Sequence, residues 1–540
     1  MNKEWWRNAI VYQIYPRSFK DSNGDGIGDI PGIIEKLDYL KSLGVDCLWL
    51  SPVYASPNCD NGYDISDYKA IHPDFGTMED FDLLVKEAKD RGIKIVMDLV
   101  LNHTSDEHEW FRKALDGDKK YENYYFFREK KNNWGSFFGG SAWDKVPAED
   151  KYYLHLFSKK QPDLNWSNPD VYNEFVDIMR FWLDKGVAGF RCDVVNVIYK
   201  NSLEKGKRKI ALTGIEHYLS TEGNHDILRR LRKDVLDKYD CFTVGETVFV
   251  DPQTANLLMG ENRKELNMVF GFEHMECDCR KIKWFRRAYN PERLIRALDK
   301  WQVGCEWPAN YLENHDQPRS VSRFGDEENC RKESAKMLCV LNLSLRGTPY
   351  IYEGEEIGMT NGDFKKLAEI KDVESHNVYD ILKKLPLRKS TKDRILYKCT
   401  RDNARTPMQW DNSATAGFTS GMPWLKINGN HEWINVEDDE KSENGVIAFY
   451  REMIAYRKSS EALQFGDYKR IPAAKGVYAF YRTAGDSRVM VVMNMNGYNE
   501  EMPKIDGKTI DGKVVITNYG RDFVEELGEL KPYEAMVLEV

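Results

Sequence analysis

Long apolar runs are missing from this chain: a stretch such as "IKIVMDLVL" is short and broken by Asp98, whereas a spanning helix needs about 20 predominantly apolar residues. The opening "MNKEWWRNAIVYQIYP" lacks the continuous apolar segment of a secretion signal. Excess positive charge is missing too. The 78 Lys+Arg are scattered and face 87 Asp+Glu, for a formal net charge of -9, which argues against binding to a phosphate backbone. No fixed-period repeat, low-complexity tract or disordered linker stands out. The ten cysteines include a C-x-C at Cys277 and Cys279, but no second Cys/His pair at zinc spacing accompanies it. Cys47, Cys192 and Cys241 lie in or beside apolar runs, where buried reduced thiols belong. These absences predict a soluble cytoplasmic protein with no nucleic-acid or membrane partner; a monomer or weak oligomer is expected, although no residue named here bears on assembly.

What is present is an alternation. Short apolar runs ("AIVYQIY", "VDCLWLSP", "IKIVMDLVL", "VAGFRCDV", "FTVGET", "ANYLENHD", "PYIYEGEE") are separated by helix-period segments such as "IIEKLDYLKSLG" and "MEDFDLLVKEAKDRG", which end at Gly44 and Gly92. That is the pattern of βα units around a parallel sheet, with "MVFGFEHMECD" as the candidate for one missing strand. Two regions break the rhythm. Residues 104–168 are rich in Tyr, Phe, Trp, Gly and Lys and too long for a simple loop, so they predict an inserted subdomain. From 465 onward, "GVYAFYRT", "RVMVVMNMN" and "AMVLEV" recur without helices and predict an all-β, sandwich-like domain at 465–540. The barrel would then comprise 1–103 and 169–464, with the Lys/Asp-rich 360–395 segment as a surface excursion.

In a parallel βα barrel the C-terminal strand ends converge on one face, where chemistry is placed. Here the runs end in Asn102-His103, Arg191-Cys192-Asp193, Gly245-Glu246 and His315-Asp316, while "VDCLWLSP" leads to Asp60 and Tyr63. Any one carboxylate suits a helix N-cap; Asp193, Glu246 and Asp316 on separate strands suit one mouth. Paired carboxylates serve acetal hydrolysis, one attacking the sugar carbon and one protonating the leaving oxygen. No Ser-His-Asp or P-loop pattern competes at those ends.

At these residues the sequence resembles the α-amylase superfamily, in its oligo-1,6-glucosidase and α-glucosidase branch. The motifs are "DLVLNH" (98–103), "QPDLN" (161–165), "GFRCDVVN" (189–196), "GET" (245–247), "ENHDQPR" (313–319), "CDNGYDISDY" (59–68) and "RDNARTPMQW" (401–410). The resemblance implies a (β/α)8 TIM barrel and a retaining mechanism on a small oligosaccharide. Asp193 would be the nucleophile, Glu246 the general acid and base with a pKa raised by its surroundings, and Asp316 the third carboxylate. Arg191, on the same strand face as Asp193, would keep the nucleophile ionised, with Asp98 as its buried partner. His103 and His315 would bind glucose hydroxyls and Tyr63 would floor the pocket. Asp60 and Arg401 would pair and close it, making the cut exo-acting. Phe157 is a candidate wall.

Val194, directly after the nucleophile, looks like the α-1,6-preferring members, as does "QPDLN"; isomaltose and short isomalto-oligosaccharides are expected, with sucrose and maltose as further substrates. Glu374 is a candidate contact for the leaving sugar. Trehalose-6-phosphate hydrolases share these motifs and stand as the alternative. Sucrose isomerases carry a different stretch after the "NHD" motif, and non-catalytic amylase-like transporter subunits need a membrane helix and lost carboxylates. The family also places one calcium ion in the loop "DSNGDGIGD", where Asp21, Asn23, Asp25, the Ile27 carbonyl and Asp29 match. An EF-hand is excluded: position 12 is Gly32, and the preceding run is β-like.

Overall fold

The structure is a computed structural model of the 540-residue chain; it describes residues 4–146, 149–209, 212–280, 282–504, 512–521 and 528–540. Eight parallel strands close into a barrel: β1 (Val11–Ile14), β2 (Cys47–Leu50), β3 (Lys94–Val100), β4 (Gly189–Asp193), β5 (Phe242–Glu246), β6 (Met268–Phe270), β7 (Ala309–Asn310) and β8 (Thr348–Tyr352). Each neighbours its sequence neighbours and β8 closes on β1, so all eight C-terminal ends open on one face. The strand missing from the sequence pattern is β6, inside "MVFGFEHMECD". It is only three residues long, and so is too short to show a period.

The strands are buried on both faces, as parallel barrels require. Trp49, Phe270 and Tyr350 fill the barrel interior in edge and stacked contacts with ring centroids 4.7–6.2 Å apart. The intervening helices form where expected. Met78–Asp90 starts with a Thr77/Asp80 capping box and buries Phe81, Leu84 and Ala88. Pro169–Asp184 carries Pro at its start behind an Asn168 cap and buries Phe175, Met179 and Trp182.

Between β3 and β4 the chain leaves the barrel. It forms a three-stranded antiparallel sheet from Phe127–Arg128, Tyr152–Leu154 and Trp143–Lys145. A helix at Glu109–Leu115, capped by His108, also lies in this stretch, although the sequence showed little helical period there. A bridge pairing His103 with Asp163 stitches the insertion back to the barrel mouth, and one pairing Tyr125 with Leu164 joins two parts of the insertion itself. The 360–395 segment is more ordered than a surface excursion. It folds into helices Val373–Lys383 and Lys389–Cys399, which pack on each other.

The tail forms a five-stranded antiparallel sheet: β9 (Asp467–Ile471), β10 (Val477–Ala484), β11 (Ser487–Asn494), β12 (Lys513–Thr517) and β13 (Ala535–Glu539), ordered β9-β10-β11-β13-β12. A separate pair, Glu500–Glu501 with Glu529–Leu530, accompanies it. Two buried arginines join this end to the barrel. Arg482 of β10 donates to the Ser344 carbonyl at 2.6 Å, and Arg457, on the helix Val446–Ser459 that leads into the tail, to the Leu343 and Gly347 carbonyls at 2.7 and 2.8 Å, satisfying orphan acceptors at and just past the end of helix Arg331–Ser344. Among the described residues no helix is long and apolar enough to cross a membrane.

Candidate active site

Strand register decides which side chains meet. Asp98 on β3 lies opposite Arg191 on β4, and Val100 opposite Asp193; Arg191 and Asp193, two apart, share the inward face. Arg191 Nη1 donates to Asp98 Oδ1 at 2.8 Å and to Asp193 Oδ1 at 2.7 Å, while its Nη2 donates to Glu246 at the end of β5. One guanidinium therefore spans three carboxylates. Gly245 permits the approach of β5, since a Cβ there would sit 2.6 Å from Leu266 and 2.9 Å from Val195. Burial raises Asp193 well above the usual carboxylate range; Arg191 opposes this, and the neighbouring Glu246 and Asp98 reinforce it. Asp98 is pushed up to about 6, again by burial first.

A chain of hydrogen bonds fixes this cluster from below. The Gln13 amide meets His315 Nδ1 at 2.7 Å, which leaves the proton on Nε2. His315 Nε2 lies 2.8 Å from the Tyr63 hydroxyl, and that hydroxyl donates to Asp98 Oδ2 at 2.9 Å. The Tyr63 and His315 rings stack at 5.4 Å. Burial holds His315 neutral, with its pKa lowered to about 3. Both ring nitrogens already have protein partners, so a sugar hydroxyl would share Nε2 with Tyr63 and with Asp316, 3.3 Å away.

Across the mouth the charge balance differs. Arg401 Nη2 reaches Asp60 at 3.0 Å and Asp372 at 2.6 Å, and its Nη1 reaches Asp316 at 3.3 Å. Arg405 Nη2 donates to the same Asp316 oxygen at 2.6 Å and its Nε to the His315 carbonyl at 2.8 Å. Burial opposes ionisation of Asp316, but Arg401 and Arg405 beside it hold its carboxyl well below the usual range. Glu374 sits beside this group, 3.7 Å from Arg401 and 2.6 Å from Lys283.

The insertion supplies the remaining wall. Phe157 stands 5.3 Å from the His103 ring and stacks on Phe137 at 4.9 Å. Gln161 donates to Asp60 at 3.2 Å and meets His103 Nε2 at 3.1 Å. Burial lowers the His103 pKa to about 4, so it too is neutral. Val194 adopts φ 35° and ψ 40°, a left-handed backbone that a β-branched residue rarely takes. Its side chain packs into one apolar cluster with Trp134, Leu156, Tyr218 and Phe157, which joins the nucleophile's loop to the insertion.

Thus Asp60, Tyr63, His103, Phe157, Arg191, Asp193, Glu246, His315, Asp316 and Arg401 gather at one mouth, with Val194 just behind it. Sequence reasoning missed Asp372, Arg405, Gln13 and Gln161. Arg405 and Gln161 lie inside quoted motifs and Gln13 inside the first strand, so their spacing was visible. Asp372 caps Val373–Lys383, and its reach into the site depends on a helix pair in the segment whose composition reads as a surface excursion. It also missed a buried ion pair: Lys200 Nζ meets Asp163 Oδ2 at 2.6 Å and Asn102 at 2.7 Å, with neither charged side chain exposed.

The loop at 21–29 is built from Asx turns. Asp21 accepts from the amides of Asn23, Gly24 and Gly26 and from the Thr419 hydroxyl. Asn23 accepts from Asp25, and Asp25 from Ile27. Asp29 caps Ile30–Glu35 and holds Ser22. Gly26 is required by a φ of 91° and by the Met422 carbonyl, 1.8 Å from where a Cβ would stand. Among the described residues no three His, Cys, Asp or Glu side chains converge as a metal site.

The α-amylase catalytic-domain model matches residues 13–466. The chain is 47% identical to the oligo-1,6-glucosidase of Parageobacillus thermoglucosidasius, covering 100% of both. It is 41% identical to the trehalose-6-phosphate hydrolase of Bacillus subtilis, over 99% of this chain and 98% of that one. Among solved structures, the isomaltulose synthase from a Klebsiella species superposes with a TM-score of 0.95 at 40% identity, covering 99% of each chain. With the barrel, the convergent carboxylates and full-length likeness in agreement, the chain belongs to the α-amylase family of glycoside hydrolases.

Proposed function

We propose that this protein is a retaining, exo-acting α-glucosidase that hydrolyses α-1,6 linkages at the non-reducing end of isomaltose and short isomalto-oligosaccharides, with sucrose and maltose as further substrates. The observation that carries the reading is the single Arg191 guanidinium joining Asp193 to Glu246. A shared guanidinium keeps the two carboxyls within a few ångströms, in keeping with the roughly 5 Å spacing of retaining enzymes rather than the wider gap of inverting ones. Asp193 would attack the anomeric carbon as Glu246 gives its proton to the leaving oxygen. Water, losing a proton to Glu246, would then release glucose from Asp193. Asp316, kept ionised by its arginines, would grip ring hydroxyls more tightly as the ring flattens.

The Asp60–Arg401 pair, supported by Asp372, would close the far end of the pocket, so that only a chain end fits. The α-1,6 preference draws support from Val194 and from the oligo-1,6-glucosidase relatives. Lys283, beside Glu374, is already neutralised at 2.6 Å, which disfavours a phosphate there. Glucose release measured side by side on isomaltose, maltose, sucrose and trehalose-6-phosphate tests the reading. Isomaltose should lead, and dominant turnover of the phosphorylated sugar would overturn it.

One calcium ion in the 21–29 loop belongs to the same reading. The donors there are all oxygen, which suits a hard cation, and Asn23 and the Ile27 carbonyl would have to supplement the acids. Its part would be to order the loop. The ten free thiols suit a reducing compartment, and we place the enzyme in the cytoplasm.

A further inference from the structure

Phe249 is 57% exposed, and it holds a φ of 55°. Either feature alone is unremarkable chemistry for a surface loop. Together they describe a large aromatic kept out of the core, in a backbone conformation that glycine or asparagine would adopt at lower cost. Both flanks are pinned. Val248 exchanges two hydrogen bonds with the Asn196 side chain, at 3.0 Å to its N–H and 2.9 Å to its carbonyl. On the other side Val250 is buried, and Asp251 caps the helix Pro252–Met259. Asn196 lies three residues after Asp193 and Phe249 three residues after Glu246. The anchor therefore ties the loop after the acid to the loop after the nucleophile. Surroundings that over-determine a strained residue at a reaction centre are the usual setting in which strain persists for function.

The position says which part of a substrate would meet this ring. The Asp60–Arg401 pair closes the pocket around the terminal glucose. The remainder of the chain must exit past the residue that protonates the leaving oxygen, and Phe249 lies on the loop leading away from that residue. Val248 packs against the same apolar cluster as Val194 and Phe157, so the loop is continuous with the site wall. Resting on the α-glucosidase reading above, we propose that Phe249 is a stacking platform for a glucosyl ring on the leaving side of an α-glucan chain, so that it sets preference for chain length. The apolar face of a pyranose would cover the exposed aromatic face, carried on a backbone that Asn196 and the Asp251 cap already hold in place.

The test compares wild type with Phe249→Asn, which tolerates the left-handed backbone without a ring, and Phe249→Trp, which restores one. For each, kcat/KM is measured on isomaltotriose, isomaltose and α-glucosyl fluoride, whose leaving group carries no sugar. The ratio of isomaltotriose to glucosyl fluoride should fall about tenfold in the Asn variant, the scale of one lost aromatic contact, and recover in the Trp variant. An unchanged ratio in the Asn variant, or a failure of Trp to restore it, overturns the proposal. Failure of the underlying reading would show separately, as wild-type enzyme that turns over glucosyl fluoride but neither isomalto-sugar.

Discussion

The two sides of the pocket use the same residue types to opposite effect. On one, Asp98, Asp193 and Glu246 share a single guanidinium, Arg191, and burial lifts Asp193 and Asp98 above the carboxylate range. On the other, Asp60 and Asp372 pair with Arg401 and Asp316 with both Arg401 and Arg405; burial still raises Asp60, whereas Asp316, with two arginines, is held well below the range although burial opposes this. The difference is the number of arginines per carboxylate. Where three carboxyls share one arginine, burial prevails and the nucleophile holds its proton to higher pH; where Arg401 and Arg405 both meet Asp316, that carboxylate stays a fixed anion for binding.

The largest effects should come from breaking the proton-sharing side. Asp193→Ala and Glu246→Gln should each cut turnover of an aryl α-glucoside by about 10²–10⁴-fold while leaving the circular dichroism unchanged. Near wild-type rates in either would dissolve the comparison. On the arginine-rich side, Arg401→Lys keeps the charge but loses the fork that reaches Asp60, Asp316 and Asp372. A drop in kcat/KM of about 10–100-fold, carried mainly by KM, is the expected result. A loss confined to kcat would mean that this side does more than bind.

A substitution between the sides sharpens the contrast through pH. Burial raises Asp193 and Arg191 opposes it, so Asp193 gains its proton as pH falls and the acid limb of kcat/KM should lie above the ordinary carboxylate range. Arg191→Lys, with a poorer contact, should move that limb upward. Asp316→Asn should lower the rate without moving the limb, because Asp316 is ionised throughout the window. The smallest effect on chemistry, although not on stability, is expected at Lys200. Removing its charge in Lys200→Met leaves Asp163 buried and unpaired, a loss of about 3–5 kcal/mol that a denaturant titration would read. Adding Asp163→Asn to that variant should recover part of it.

How much of this could be read in the sequence follows from range. The barrel strands and their polar ends were legible, since register and alternation are local and each motif sits on one strand. Asp193 and Arg191 announce their shared face by being two residues apart. The sixth strand was faint because three residues carry no period. Asp372 and the Lys200–Asp163 pair were invisible for another reason: each depends on segments far apart in the chain closing over the barrel mouth, and nothing in the sequence near Asp372 or Lys200 names a distant partner. The strain at Val194 and Phe249 is likewise a property of the backbone, which residue type alone conceals.

The division of labour between the two carboxylates is tested most directly by trapping the glucosyl-enzyme with a fluorinated glucosyl fluoride and mapping the label by peptide mass spectrometry. One added fluoroglucosyl group on the peptide carrying Asp193, absent from Asp193→Ala, is the predicted result. A label on Glu246, or β-glucose as the first-formed product with no label at all, would contradict it.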